Sequence, residues 1–165
     1  MSNQEHIERS DYMQTSPALF KKFLDFTMAI APESSIEPEI LHLVDIRASQ
    51  MNGCAFCLDM HVKQATMHNE RPLRMYHIAV WRESPLFSLR ERAALAWTEV
   101  LTSSLQGGVP DAVYEHVREQ FSEKELVDLT YQVMAINGWN RVNVAFQSIP
   151  GTKDKAFGLN KAGLS

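Results

Sequence analysis

Residues 38–67 read PEILHLVDIRASQMNGCAFCLDMHVKQATM, two apolar-periodic segments separated by a single Asn-Gly pair. Pro38 stands where a first-turn proline is tolerated, and Ile40, Leu41, Val44 and Ala48 then fall along one side at helical spacing. Asn52-Gly53 breaks that helix, and a second is expected from Cys54 to about Met67, closing near His68-Asn69 ahead of Pro72. Neither segment alternates apolar and polar residues as a half-buried strand would.

The same pattern extends outward in both directions. PALFKKFLDFTMA, from Pro17 to about Ala29, carries Leu19, Phe20, Phe23, Leu24 and Phe26, and Pro32 is expected to end it. Pro72 to Trp81 reads as a short helix, and Ser88-Leu89-Arg90-Glu91 is a capping box that opens a third apolar stretch. Gly107-Gly108 and Pro110 mark a loop, after which Val113, Val117 and Phe121 recur every four residues. Ser122-Glu123-Lys124-Glu125 is a second capping box, opening a helix to about Phe146 that is apolar on most sides and therefore expected at the centre. The segment from Pro150 to Ser165 is rich in Gly and Lys and reads as a loosely held tail. The prediction is an all-α fold: one domain over residues 1–165, six or seven helices, and a core spanning about 17–150.

Composition narrows the function. The 165 residues suffice to bury about two thirds of the unfolded surface around one core without disulfides. With 45% hydrophobic and 22% charged residues the chain is neither disordered nor fibrous. A net charge of -4 lacks the basic footprint of a nucleic-acid binder. No run approaches the ~18 apolar residues of a membrane span. The polar start, MSNQEHIERSDYMQTS, has no signal-peptide pattern, so a cytoplasmic location is expected. Several wide apolar faces also favour self-association.

Two cysteines cannot build a secreted disulfide framework, but a Cys-x-x-Cys pair in a reducing compartment points to redox or metal chemistry. On a helix, Cys54 and Cys57 share a face with His61, four residues beyond Cys57. A helix start favours thiolate, and a nearby imidazole can take the thiol proton, so Cys57 is the thiol expected to be activated. A Cys57 thiolate attacking a peroxide would leave a sulfenic acid, which Cys54 resolves to a disulfide. An external dithiol must then reduce it, without metal or organic cofactor. Three other readings accompany this one: two buried small residues; a non-catalytic redox sensor; a zinc-bound module using Cys54, Cys57, His61 and either His42 or His68. Leu58 after Cys57 excludes a c-type haem site. His68 reads as a helix-end residue facing free carbonyls. Phe56, Met60 and Met51 read as packing, or as an apolar wall for an organic peroxide.

LVDIRASQMNGCAFCLDMHVKQA (43–65), ERAALAWTEVLT (91–102) and AINGWNRVNVAF (135–146) resemble the alkyl hydroperoxidase D-like branch of the carboxymuconolactone decarboxylase superfamily. The likeness spans about residues 17 to 150. It implies an all-helical fold, assembly as trimers or hexamers, thiol-dependent peroxidase activity and a dithiol electron donor such as a lipoylated protein. It also implies that Cys57 reacts with peroxide, Cys54 resolves, and His61 belongs to a proton relay. The alternative enzyme class that the resemblance offers is a decarboxylase or lactone-handling enzyme like the superfamily's namesake, and the cysteine pair, which those members lack, argues against it. At the position of the family's general-base glutamate this chain has His42, which is expected to act in its place, with Glu39 one turn earlier as the alternative. Phe56 replaces the prototype's histidine. The roles of Glu99, Trp139, Asn140 and Arg141 are read first as packing or subunit contacts.

Overall fold

The computed structural model describes residues 6–164, so the first five residues of the polar start lie outside the described residues. Among the described residues there are nine α-helices: α1 Tyr12–Thr15, α2 Pro17–Glu33, α3 Pro38–Met51, α4 Ala55–Met67, α5 Pro72–His77, α6 Leu89–Thr102, α7 Asp111–Arg118, α8 Glu123–Phe146 and α9 Asp154–Phe157. Tight 3-10 turns follow at Ile78–Val80 and Leu159–Ala162, and no strand occurs among the described residues. The seven helices read from the sequence are α2 to α8. The two others, α1 and α9, are single turns too short to leave a periodic signal.

Local chemistry sets the helix starts. Pro17, Pro38 and Pro72 each occupy the first turn, where the missing N–H has no partner to lose. Both capping boxes form: Ser88 and Ser122 accept from the N–H groups of Glu91 and Glu125 at 3.2 Å, and each glutamate accepts from its serine's N–H at 2.7 Å. Pro32 does not stop α2, which continues to Glu33. A proline in the last turn removes one bond, to Met28, at an exposed end where the chain is about to leave the helix.

α3 is buried on two sides. Val44 and Ala48 join Ala93, Ala94, Leu129, Val133 and Ile136 in the main core, whereas Leu43 and Ile46 join Ala65, Ile78 and Leu95 in a second. Each such fully buried aliphatic contributes about 2 kcal/mol of transfer free energy, so α3 is the element the other helices pack around. α8 lies against it, and its buried side mixes core apolar residues with a row of amides. Its inward side carries Gln132, Asn137, Asn140 and Asn143 among the buried apolar residues, while Val127, Tyr131 and Met134 are exposed. α2 crosses α8 at Gly138, where a Cβ would lie 2.7 Å from the Phe23 ring, and Trp139 Nε1 donates to Thr27 Oγ1 at 2.9 Å.

The described residues are tied down near both ends. Arg9 N–H donates to the Phe146 carbonyl at 2.8 Å and Asp11 pairs with Lys153 at 3.1 Å, which holds α1 beside the end of α8. The segment after Pro150 is docked, not loose. The buried Lys63 amine reaches Asp59 at 2.8 Å and Asp154 at 2.6 Å, and Leu159 is buried near α4. One leucine and two ion pairs, Lys63–Asp154 and Asp11–Lys153, hold it, a signal that Gly- and Lys-rich composition hides.

Candidate active site

The turn between α3 and α4 builds the site. Asn52 keeps a helical backbone, Gly53 takes φ +64°, and Cys54 N–H returns to the Ser49 carbonyl at 3.0 Å. Only glycine adopts that φ without strain, and the reversal brings α4 back against α3. Cys54 is therefore the N-cap of α4, and its Sγ accepts from the N–H of Cys57 at 3.3 Å. Both thiols are free and buried.

α8 supplies the polar wall. Asn52 donates to Asn137 Oδ1 at 3.0 Å and to Asn140 Oδ1 at 2.9 Å, and Asn140 donates to Ser49 Oγ at 3.1 Å. Asn143 Nδ2 reaches Cys57 Sγ at 3.5 Å, while its Oδ1 accepts from the Tyr12 hydroxyl at 3.2 Å. Of these amides Asn143 donates to sulfur, and Asn140 lowers the pKa of both thiols. Together with the helix start they favour one thiolate in the pair.

Of the two thiols, Cys54 is the one drawn toward the ionised form. Its pKa is held below the ordinary thiol value, first by the hydrogen bond from the Cys57 side chain, then by the Cys57 N–H and Asn140, against the opposing effect of burial. Cys57 is pushed strongly upward by that same hydrogen bond, by burial and by the charge on Cys54. The sequence reading expects Cys57 to be the sulfur that reacts with peroxide, which is a different matter from the resting preference of the pair. Position explains that preference: the N-cap sulfur receives the free N–H, whereas Cys57 already lies inside the first turn.

His61 is buried one turn along α4. Its Nδ1 lies 2.9 Å from Gln64 Oε1 and 3.4 Å from Asp45 Oδ2, and Asp45 Oδ1 accepts from Gln132 at 2.6 Å. With acceptors on both sides, Nδ1 carries the hydrogen and Nε2 presents its lone pair. Nε2 is buried without a hydrogen-bond partner among the described residues. No hydrogen bond joins His61 to either cysteine among the described residues. Burial raises the Asp45 pKa, against the opposing influence of His61 and Gln132.

His42 shares a 2.9 Å hydrogen bond with His68, their rings stacked with centroids 4.9 Å apart. Burial, then His68 and His61, pull the His42 pKa down to about 4. His68 does close α4 through its backbone N–H, but its ring turns to His42 and not to free carbonyls. Glu39 is exposed and makes no polar contact there. Phe56 is buried in the main core and Met60 is half-buried. Among the described residues no three His, Cys, Asp or Glu side chains converge on a point that would hold a metal ion.

The structure thus gathers Cys54 and Cys57 with Asn140 and Asn143, and sets His61 and His42 on the α3–α4 side. Sequence reasoning missed Asp45, Gln64, Gln132, Asn143 and Tyr12. The asparagines had a signal: Asn137, Asn140 and Asn143 recur every three residues within an otherwise apolar helix, which marks a buried polar row. Tyr12 had none. Glu99 holds Arg47 at 2.7 Å, Trp81 at 2.8 Å and Arg82 at 2.6 Å away from the cysteines, a packing role.

The chain belongs to the carboxymuconolactone decarboxylase family, whose model matches residues 17–100, and within it to the alkyl hydroperoxidase D-like branch. It is 37% identical to the uncharacterised Bacillus subtilis protein YdfG over 146 residues, 88% of this chain and 99% of that one. A solved structure from Agrobacterium tumefaciens, of a protein of unknown function with a suggested antioxidant-defence role as an AhpD, superposes with a TM-score of 0.85 at 37% identity. It matches 88% of this chain and 99% of its own. The debrominase Bmp8 superposes with a TM-score of 0.77 over 91% of this chain and 80% of that one; at 20% identity this speaks to the fold alone.

Proposed function

We propose that the protein is a thiol-dependent peroxidase in which Cys54 and Cys57 form the reacting pair. The observation that carries this reading is the buried cysteine pair at the start of α4, in which Cys54 Sγ accepts the Cys57 N–H and Cys57 Sγ the Asn143 amide, with the partner-free Nε2 of His61 one turn on. Family membership supports it.

The cycle balances without a bound cofactor. His61 Nε2 takes one thiol proton, leaving Cys54 as thiolate and Cys57 as thiol. Transfer of the Cys57 proton to Cys54 then moves the charge to Cys57, beneath the Asn143 amide. Cys57 attacks the terminal peroxide oxygen, the O–O bond breaks, and the departing alkoxide takes the proton from Cys54. That step restores the Cys54 thiolate, which attacks the Cys57 sulfenic sulfur. Hydroxide leaves with the proton held on His61. The sum is dithiol plus hydroperoxide to disulfide, alcohol and water, and an external dithiol, a lipoylated protein in this reading, resets the pair. His42, neutral at working pH, stands by as a second proton acceptor. The exposed Val127, Tyr131 and Met134 of α8 offer an apolar face for self-association, which this reading takes to be a trimer or hexamer in a reducing cytoplasm.

Single substitutions test the assignment. Cys54→Ser should still consume one equivalent of hydroperoxide and stop at a sulfenic acid on Cys57, whereas Cys57→Ser should consume none. A stoichiometric burst retained by Cys57→Ser would make Cys54, the resting thiolate, the attacking sulfur.

A further inference from the structure

Tyr12 lies far from the cysteines in sequence and belongs to no motif, yet it completes their hydrogen bonding. All of the Asn143 amide's polar atoms are committed: Nδ2 donates to the Trp139 carbonyl at 2.9 Å and to Cys57 Sγ at 3.5 Å, and Oδ1 accepts from the Tyr12 hydroxyl at 3.2 Å. Turning the amide over would set its oxygen against a carbonyl and a sulfur and its NH2 against the tyrosine. A hydroxyl that donates to Oδ1 therefore opposes the turn and polarises the N–H toward sulfur.

The segment that carries Tyr12 is fixed on both sides. Arg9 bonds the carbonyls of Phe146 at 2.8 Å and Ala145 at 3.1 Å, and Asp11 pairs with Lys153 at 3.1 Å. The Tyr12 ring packs on Phe146 and Phe20 with centroids 6.0 and 6.1 Å away. On its outer side an apolar crevice of about 280 Å³ is lined by Leu19, Phe20, Phe23 and Trp139. Tyr12 is thus a rigid bridge between that crevice and the thiol pair.

We propose that Tyr12 is a positioning residue for the dithiol: acting through Asn143, it holds an amide N–H on Cys57 Sγ and stabilises the state in which Cys57 carries the charge. The titratable groups around Cys57 are Cys54 on the same helix start and Tyr12 from α1, with the Asp11–Lys153 pair beyond it. α8 faces the thiols with neutral amides, and His61, Asp45 and His42 lie further along α4 and α3. Burial, with added repulsion from the two sulfurs, raises the Tyr12 pKa, so the hydroxyl stays a donor throughout the range in which thiolate forms. The inference rests on the dithiol reading above, in which Cys57 must become a thiolate.

Tyr12→Phe keeps the ring and its packing and removes only the donor. In a Cys54→Ser background, where Cys57 titrates alone, the alkylation rate of Cys57 by iodoacetamide is followed against pH, with the modified site confirmed by mass spectrometry. Loss of one hydrogen bond of ordinary strength should cut the thiolate fraction about five-fold at a fixed pH below the transition. The pH midpoint should move up by about 0.7, the logarithm of that ratio. Superimposable pH profiles for Tyr12→Phe and its parent would overturn the proposal, because a purely structural tyrosine changes fold stability and leaves the midpoint in place. Where the double variant does not fold, the same alkylation profile resolved at Cys57 in the native dithiol, with and without Tyr12→Phe, gives the same two outcomes. Alkylation needs no peroxide, so a parent protein that fails to turn over peroxide would refute the peroxidase reading and leave this result to be judged by itself.

Discussion

His42→Gln should flatten the acid side of the stability curve. The native state holds the His42 pKa at about 4 against an ordinary value of 6.5, because the ring is partly buried and faces His68 and His61. At pH 7 the residue is neutral in both states and makes no difference. As pH falls through 6.5 the unfolded chain takes up a proton that the native ring refuses, so stability is lost progressively until about pH 4 and then levels. The full displacement corresponds to about 3.4 kcal/mol, and screening at a ring that reaches solvent reduces this to about 2 kcal/mol. Glutamine keeps a polar atom for His68 and does not titrate, so the variant should lose about 2 kcal/mol less than the parent between pH 7 and pH 4. Urea unfolding at a series of pH values measures both curves, and the titrating groups not coupled to His42, Asp45 among them, cancel in their difference. Parallel curves would refute the reasoning and mean that His42 protonates as freely in the native protein as in the unfolded chain.

Three further outcomes follow from the geometry. His61→Gln retains a polar side chain but no group that takes up and releases a proton, and should slow steady-state peroxide consumption about 100-fold; an unchanged rate removes His61 from the relay. Lys63→Met leaves Asp59 and Asp154 partly buried without their shared cation. It should cost about 2 kcal/mol in urea unfolding and make the chain after Pro150 the first site of limited proteolysis, an effect that a loose segment would not show. Ser122→Ala removes the N-cap of α8 and should lower stability by about 1 kcal/mol, read from the denaturation midpoint at constant slope.

The fold was legible because its signals are local. Pro38 followed by Ile40, Leu41 and Val44, the Asn52-Gly53 break, and the boxes at Ser88 and Ser122 each specify a helix boundary from a few adjacent residues. Pro32 misled because a proline's effect depends on how many helical bonds remain beyond it, and here the helix was already ending. The docked segment after Pro150 was hidden because Leu159 and Asp154 meet α4 only in three dimensions. The same holds within the site. Cys54, Cys57 and His61 were visible from spacing, and the asparagine row in α8 could have been read as polar residues repeating on a buried face. Tyr12 could not, since it reaches Asn143 across 131 positions of sequence. Which sulfur caps the helix was equally hidden. Spacing shows that two cysteines share a helix start, but only the backbone shows that Cys54 is the cap and receives the Cys57 N–H.

The central claim is that Cys54 and Cys57 form a peroxide-reducing couple, and intact mass measured alongside peroxide consumption tests it most directly. Fully reduced protein receives one equivalent of an organic hydroperoxide, and both quantities are followed before and after addition of a lipoyl-type dithiol. The account predicts loss of one peroxide and two hydrogens per chain, with the mass restored by the dithiol. Thiols that stay reduced while the peroxide persists would contradict it.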